Sequence, residues 1–330
     1  MAEKPAAPAA SADGPEARLR ERLARELAAP VAPAVAALAA ELARRHGSAV
    51  AAVVFYGSCL RKRTHEGVLD FYVVVDGYRA AYEGRALAIA NAVLPPNVFY
   101  LEWPFEGETL RTKYALISSA DLQRRASLGA LDCRIWARFC QPAALAFTRD
   151  PAARAAVEQT ATTACLTFVE RALTGLPETT GDRHASGEAI FRAGLRQTYA
   201  AELRSERPET VRELYDADAD RYDAVAHDAL AVLAERRRLT FRDEPGGWVV
   251  RAPWPALRRA WRVRRPIAKL LAIAGLLKTA FTFGDWVPYV LWKVERHTAV
   301  AIELTPRQRR HPLIFGWPVI YRVLRDGIYR

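Results

Sequence analysis

The chain has 330 residues and a net charge of +11, with 51% hydrophobic and 26% charged residues. This composition is typical of a globular protein with a sizeable core, organised as one large domain or as two to three ordinary ones. The four cysteines form no Cys-x-x-Cys pair, which argues against a zinc site or a disulfide framework and favours a reducing cytoplasm. The N-terminal residues lack the apolar stretch of a secretory signal, so we expect none.

The first part of the chain alternates between strand and helix patterns. Residues 1–16 are rich in Ala and Pro and are predicted to be disordered. Residues 17–175 are predicted to form a mixed β-sheet flanked by helices, the first of which is interrupted by Pro30 and Pro33. Short apolar runs predict strands at 49–56, 69–76, 97–103 and 112–118, and helices are predicted at 79–93, 121–140 and 151–173.

The second part of the chain is predicted to be mostly helical. A turn-rich stretch at 174–188 marks a boundary before it. Helices are expected up to Leu239, and residues 239–253 have the pattern of a hairpin that turns at Pro245-Gly246-Gly247. Helices followed by one hairpin are typical of a winged-helix-like layout, which we assign to residues 185–255. The predicted fold class is therefore α+β.

The positive charge is concentrated near the C-terminus. Residues 251–330 contain 16 Lys/Arg and 4 Asp/Glu, which leaves the rest of the chain nearly neutral. The same segment holds five of the eight tryptophans. Basic residues mixed with tryptophan favour an anionic surface, either nucleic acid or the headgroups of a membrane. We treat residues 256–330 as a separate basic, Trp-rich segment.

A Gly-Ser pair between two predicted strands indicates a phosphate site. The sequence reads FYGS at 55–58 and LDFYVVVD at 69–76. Gly57 allows the backbone to turn close to a ligand, and Ser58 with the N–H groups that follow can hold a triphosphate. Asp70 can bind Mg²⁺, which takes oxygen ligands together with substrate phosphates. The alternative is an ordinary strand–turn–strand with a solvated aspartate.

This pattern resembles the nucleotidyltransferase superfamily related to DNA polymerase β. In that superfamily Gly-Ser precedes a strand that carries Asp-x-Asp, and a third acid lies on a neighbouring strand. Here Tyr72 stands where the second acid is expected. The next acid is Asp76, about 13 Å further along the same face of the strand. Asp76 can therefore join the site only if the strand ends and bends there.

A more specific resemblance is to the mitochondrial-type phosphatidate cytidylyltransferases, which are peripheral CDP-diacylglycerol synthases. Similar motifs occur in the same order over residues 50–293, namely FYGS, LDFYVVVD, NVFY at 97–100, KYALIS at 113–118, IWARFCQP at 135–142, RELY at 212–215 and AIAGLLKTAFTFGDWVPYVLWK at 272–293. The chain departs from the family at Cys59 and Ala115, which replace glycines, and at Gln141, which replaces a lysine. Residues 305–330 have no counterpart in it.

The resemblance implies Mg²⁺-dependent transfer of CMP from CTP to phosphatidic acid, giving CDP-diacylglycerol and pyrophosphate. The implied catalytic residues are Asp70, Asp76 and Glu102, and the expected Mg²⁺ ligands are Asp70 and Asp76. The implied nucleotide-binding residues are Gly57, Ser58, Lys113 and Arg138. The basic run 61–63 can receive the triphosphate or an acidic headgroup. Because the acceptor phosphate is already ionised, the reaction needs positioning and charge neutralisation rather than a strong base.

The basic C-terminal segment is predicted to lie on a membrane. On a helix, one basic stripe is formed by Arg258, Arg262, Arg265 and Lys269. The apolar run 270–277 is too short to span a bilayer, so we expect an interface-lying segment with further contacts from Lys278, Trp286 and Trp292. Pro266 is expected to kink or restart the helix, with a break near Gly275 or Gly284. The alternative is that these residues pack as core.

The resemblance thus implies a cytoplasmic protein bound peripherally to the inner face of the membrane, with no nucleic-acid partner. Two other classes stay open. A nucleic-acid- or protein-modifying nucleotidyltransferase would hold an anionic partner with the basic tail, and its nucleic-acid binding would depend strongly on salt. An inactive nucleotidyltransferase fold used for binding is favoured by Tyr72 at the second acid position.

Overall fold

The computed structural model of the chain describes residues 14–177, 181–202, 208–282 and 305. A five-stranded mixed sheet consists of β1 at Val50–Tyr56, β2 at Val68–Val75, β3 at Asn97–Phe105, β4 at Glu108–Ser118 and β5 at Ala143–Thr148. The strand order is β3-β4-β2-β1-β5, in which β2 and β4 are parallel and the other neighbours are antiparallel. The predicted α+β class and the four predicted strands are confirmed, and β5 is an addition to them.

Helices cover both faces of this sheet. They are α1 at Pro15–Leu27, α2 at Pro33–His46, α3 at Ser58–Arg61, α4 at Tyr78–Ala81, α5 at Arg85–Val93, α6 at Ser119–Ala126, α7 at Trp136–Phe139 and α8 at Pro151–Ala172. β1 and β2 read as continuous apolar runs because both of their faces are buried. One face packs with Leu38 and Leu42 of α2. The other packs with Leu23 of α1 and Phe168 of α8.

A second region follows, with three helices and a small sheet. Its elements are β6 at Arg183–Ala185, α9 at Gly187–Glu202, α10 at Pro208–Asp216, α11 at Ala219–Glu235, β7 at Thr240–Glu244 and β8 at Gly247–Arg251. The strands pair in the order β6-β8-β7. The predicted helices followed by a hairpin are confirmed, whereas β6 is too short to show an alternating pattern. The division near residue 180 stays a prediction, because one hydrophobic cluster includes residues of both regions.

Three predicted helix boundaries in the first region are wrong. The helix predicted over 79–93 is two helices, α4 and α5, separated by residues 82–84. Residues 15 and 16 are helical rather than disordered, because Pro15 starts α1, where a proline is well tolerated; residues 1–13 lie outside the described residues. The helix predicted over 121–140 is two helices, α6 and α7, separated by a loop. Asp132 organises this loop, since its side chain accepts hydrogen bonds from Arg125 and Arg134 and its carbonyl accepts one from the Trp136 indole.

The last described helix is α12, at Trp254–Thr282. It continues through Pro266 and Gly275, so the predicted break at Gly275 is wrong, and Gly284 lies outside the described residues. Contacts at both ends hold the helix. The Trp254 indole donates to the Gly181 carbonyl at 2.6 Å, and the Thr282 hydroxyl donates to the Val98 carbonyl at 3.2 Å. α12 therefore connects the second region to β3 of the large sheet.

A largely buried ion pair also joins the two regions. The Arg221 guanidinium on α11 donates to the two Glu26 carboxylate oxygens at 2.6 and 3.0 Å and to the Cys140 carbonyl at 2.8 Å. Only 14% of the Arg221 side chain and 22% of the Glu26 side chain are exposed. Burial alone lowers the pKa of Arg221, but the charge of Glu26 outweighs this effect and the pKa is raised. The pair therefore fixes α11 against α1.

We expect Arg221→Ala to lower the free energy of unfolding by about 3 kcal/mol, because it leaves the Glu26 carboxylate without its cation in a mostly buried position. Urea denaturation followed by circular dichroism measures this loss. The control is Arg212→Ala, which removes an exposed pair with Asp216 and should cost less than about 0.5 kcal/mol. Equal losses in the two variants would contradict the role assigned to the Arg221–Glu26 pair.

Candidate functional site

A cavity of about 930 Å³ opens where the large sheet meets α9, α10 and α12. The strands contribute the end of β1, the first half of β2, the middle of β4 and the start of β3, and the Gly-Ser pair also lines the cavity. Its charged lining residues are Arg61, Lys62, Asp70, Lys113, Arg134, Arg138, Glu202 and Glu213. The cavity thus brings together all four residues predicted to bind nucleotide, namely Gly57, Ser58, Lys113 and Arg138, and others that the sequence did not indicate.

Gly57 and Asp70 are in direct contact at the end of β1. Tyr56 pairs with Asp70 across the antiparallel β1–β2 ladder, so the chain turns at Gly57 beside the carboxylate. Gly57 has φ of 92°, and a Cβ placed on it would lie 2.9 Å from Asp70 Oδ2. Glycine is therefore required twice, once for the backbone conformation and once for the space. Ser58 follows as the first residue of α3.

Lys113 lies beside the same carboxylate because β2 and β4 are parallel and Asp70 pairs with Lys113. The Lys113 Nζ atom is 3.0 Å from Asp70 Oδ1, and 38% of its side chain is exposed, against 21% for Asp70. The ammonium and the carboxylate form an ion pair, and no other group of the described residues donates to the buried Oδ1 atom. A carboxylate that already faces a cation suits a cationic ligand such as Mg²⁺.

Arg138 enters the cavity from α7 and forms an ion pair with Glu202 at the end of α9. Its Nη2 atom donates to Glu202 Oε2 at 2.7 Å, and both side chains are largely buried. Burial alone lowers the pKa of Arg138, but Glu202 and two nearby tyrosines outweigh burial, so the pKa is raised. The predicted cation is thus present, and Glu202 is a partner that no local motif revealed.

Tyr72 occupies the wall where the superfamily pattern places its second acid. Its ring stacks on Tyr56 with centroids 4.8 Å apart, and its hydroxyl donates to the Arg134 carbonyl at 3.4 Å. Burial raises the pKa of Tyr72 to about 12. This side chain is therefore a neutral phenol at physiological pH, and it supplies no charge for a metal ion.

The two other predicted catalytic carboxylates lie away from the cavity. Asp76 follows β2 at its opposite end, about 20 Å from Asp70 at the rise of an extended strand. It forms an exposed pair with Arg149 at 2.6 Å, and its N–H donates to the Ala49 carbonyl. This hydrogen bond holds Asp76 beside the start of β1, at the end of the sheet opposite to the cavity. Asp76 is therefore not a ligand partner of Asp70.

Glu102 lies further along β3, beyond Val98, the residue of this strand that lines the cavity. Its carboxylate accepts hydrogen bonds from Tyr100 at 2.8 Å and from Arg111 at 3.3 Å. It is an exposed strand residue with partners of its own. In the part of the chain that the structure describes, no group of three or more His, Cys, Asp or Glu side chains could hold a metal ion. Of the three predicted acids, Asp70 alone remains in the cavity.

α12 forms one wall of the cavity and exposes the adjoining side, with Leu276 at the border of the two. The wall is made by Ala272, Gly275, Leu276 and Thr279. On the exposed side, the predicted basic residues Arg262, Arg265 and Lys269 precede an apolar surface, while Arg258 is half-buried. The exposed fractions of this apolar surface are 67% for Leu270, 40% for Ile273, 70% for Leu276 and 63% for Leu277. We call these four residues the apolar turn of α12.

Lys278 points into the protein rather than towards solvent. Its ammonium donates to the carbonyls of Leu94 and Pro96 and to the Asn97 side-chain oxygen, the last two at 2.8 Å. Burial, together with the charges of Arg134 and Arg125, lowers the pKa of Lys278 to about 8. Lys278 therefore faces the protein, and its predicted contact with a membrane is wrong. Trp286 and Trp292, which are also predicted to contact a membrane, lie outside the described residues.

No protein-family model matches the chain, and the search of curated proteins gave no match. Among solved structures, the chain is similar to a nucleotidyltransferase-like protein from Exiguobacterium sibiricum, with 12% sequence identity and a TM-score of 0.24. The match covers 87% of this chain and 91% of that chain. A TM-score this low indicates nothing about the activity of this chain. No helix in the described ranges is long and apolar enough to cross a membrane.

Proposed function

We propose that the chain is a nucleotidyltransferase that transfers CMP from CTP to phosphatidate at this cavity. The observation that carries the proposal is the contact of Asp70 with Gly57 beside Ser58 and Lys113, in a cavity whose wall includes Leu276 of the apolar turn of α12. A phosphate-binding turn, a carboxylate and cations at one end, and an apolar surface at the other, suit a nucleoside triphosphate and a lipid acceptor. The resemblance noted in the sequence supports the choice of cytidine nucleotide and phosphatidate.

In the proposed reaction, an oxygen of the phosphatidate phosphate attacks the α-phosphorus of CTP. The bond from that phosphorus to the bridging oxygen breaks, and pyrophosphate leaves with the electron pair. The attacking oxygen carries no proton at neutral pH, so no side chain has to act as a base. The chain's own task is to align the two phosphates and to neutralise their crowded negative charge.

Each residue has a defined part in this proposal. Ser58 and the backbone of the turn hold the triphosphate, aided by the adjoining cations Arg61 and Lys62. Asp70 would hold Mg²⁺, and this ion would supply charge neutralisation. Lys113 and Arg138 bring fixed positive charge to the same end of the cavity.

We propose a peripheral position on an anionic membrane at its cytoplasmic face, and the exposed side of α12 supports the contact with a membrane. Its basic residues precede the apolar turn along one side of the helix, as in helices that lie in the interface between headgroups and acyl chains. Leu276 belongs both to that turn and to the cavity lining. A lipid acceptor could therefore reach the cavity without leaving the membrane surface.

A second candidate is a nucleotidyltransferase-like fold that binds a nucleotide without turnover. Two observations favour it, namely the neutral Tyr72 at the second acid position and the ion pair that engages Asp70. The two candidates differ in one measurement. The binding protein releases no pyrophosphate with any nucleotide, whereas the enzyme does so with CTP and phosphatidate vesicles.

We expect Asp70→Asn to reduce pyrophosphate release at least about a hundredfold at saturating Mg²⁺, because it removes the carboxylate that would hold Mg²⁺ beside the Gly57–Ser58 turn. The matched control is Asp76→Asn, the same substitution at the other end of β2. It removes an exposed pair with Arg149 and should leave the rate within about twofold. A normal rate in Asp70→Asn, or an equal loss in both variants, contradicts the site.

The nucleotide is expected to be CTP, favoured over UTP and ATP by at least about a hundredfold in pyrophosphate release with phosphatidate vesicles. The physical reason is that cytosine presents an amino donor where uracil presents a carbonyl acceptor, so a site matched to one leaves polar groups unpaired with the other. Comparable rates with ATP would reject the cytidylyltransferase proposal and retain only a general nucleotidyltransferase.

Membrane binding is expected to depend on the apolar turn of α12. The double variant Leu270→Gln, Leu277→Gln should lower partitioning onto phosphatidic acid vesicles at least about tenfold, because two leucines no longer enter the interface. The control is Ile89→Gln with Val93→Gln, which removes two exposed apolar residues of α5. Vesicle co-flotation measures the partitioning of both double variants. An equal loss in the two would show that the apolar turn of α12 does not bind the membrane specifically.

A further inference from the structure

Arg134 is a cation of the cavity that the proposed chemistry has not used. It lies in the loop between α6 and α7 and lines the cavity with 19% of its side chain exposed. Its Nη2 atom donates to the Asp132 carboxylate at 2.9 Å. The same Asp132 oxygen accepts from Arg125, which does not line the cavity. One carboxylate thus serves two guanidinium groups, and their summed charge is positive.

The excess of positive charge extends to the whole described lining. Five lining residues are Lys or Arg and three are Asp or Glu, as named above. Glu202 is engaged by Arg138, and Asp70 by Lys113. Close to Arg134, the ammonium of Lys278 is a further cation whose pKa is lowered by burial and by the charges of Arg134 and Arg125. A half-enclosed wall with surplus positive charge is suited to an anionic ligand.

Gly275 of α12 makes room for the Arg134 side chain. A Cβ placed on Gly275 would lie 2.7 Å from Arg134 Nη1. The next residue, Leu276, belongs to the apolar turn and also lines the cavity. The guanidinium is therefore held next to the surface where acyl chains are proposed to lie. The Gly57–Ser58 turn belongs to the sheet side of the cavity, whereas Arg134 meets the α12 side.

We propose that Arg134 binds the phosphate monoester of the acceptor, on the α12 side of the cavity. This inference rests on the proposed function and names the acceptor subsite within it. Arginine suits the role because its planar guanidinium can form two parallel hydrogen bonds to a phosphate and remains charged when partly buried. Asp132 fixes the orientation of the side chain and leaves the rest of the guanidinium for the ligand.

The test measures binding to the full chain by calorimetry without turnover, with short-chain dihexanoyl phosphatidate as the probe. Arg134→Gln is expected to weaken phosphatidate binding at least about tenfold and to leave CTP binding within about twofold. Arg125→Gln is the matched control, because it removes the other partner of the same carboxylate outside the cavity. It is expected to change neither affinity by more than about twofold. Melting temperatures of both variants show whether their stabilities match.

Two further probes separate the sources of the phosphate. Glycerol 3-phosphate carries the same monoester without acyl chains and should lose affinity in Arg134→Gln by a similar factor. Dihexanoyl phosphatidylcholine carries no monoester and should not respond. If Arg134→Gln does not fold, Arg134→Lys and Arg125→Lys replace the pair, and only the first is expected to weaken phosphatidate binding, by about threefold.

Several results would overturn the subsite. They are equal losses in the Arg134 and Arg125 variants, unchanged phosphatidate binding in Arg134→Gln, a response of phosphatidylcholine, or no phosphatidate binding by the wild type. The outcome for the reaction is separate. If CTP-dependent transfer occurs but Arg134→Gln binds phosphatidate as tightly as the wild type, the subsite is rejected and the proposed function is retained. If phosphatidate binding depends on Arg134 but no transfer occurs, the subsite is retained and the proposed reaction is rejected.

Discussion

The candidate site depends on one close contact, that of the Asp70 carboxylate with the backbone of Gly57. A larger residue at 57 would collide with Asp70 Oδ2, and the positive φ at this position favours glycine in any case. Two strand registers then complete the arrangement. The antiparallel β1–β2 ladder sets Asp70 beside the turn, and the parallel β2–β4 ladder sets Lys113 beside Asp70. Strand pairing thus brings Gly57, Asp70 and Lys113 together from three places in the chain.

The same strand geometry limits the acidic content of the site. Side chains two apart on a strand share a face, so a second acid would have to stand at Tyr72, which instead stacks on Tyr56 as a neutral phenol. Six residues along, Asp76 is at the other end of the strand and bound to Arg149. The cavity is consequently richer in cations than in acids. That balance suits a reaction between two anionic substrates, with much of the charge neutralisation supplied by Lys and Arg.

α12 shows how one helix can serve two environments. Residues such as Gly275 face the cavity, Lys278 anchors the helix to the start of β3, and Leu270 and Leu277 are exposed on the other side. The helical period alone separates Lys269 from Lys278, so the opposite orientations that suggested a break need none. Because the wall of the cavity and the exposed apolar turn belong to one rigid element, a surface bound by the helix lies next to the site.

The sequence by itself determined four strands of the large sheet and the Gly-Ser turn beside Asp70, because strand periodicity and glycine chemistry are local properties. The resemblance of its motifs added Lys113 and Arg138, which line the same cavity. Only the tertiary structure decided which acids belong together. It separated Asp76 and Glu102 from Asp70, and it brought Glu202 and Arg134 into the cavity from a helix end and a loop that carry no motif. In the folded chain the Lys278 ammonium also contacts the start of β3 rather than solvent. These outcomes depend on where strands end and how helices pack across the sheet, and such long-range contacts leave no periodic signal in the chain.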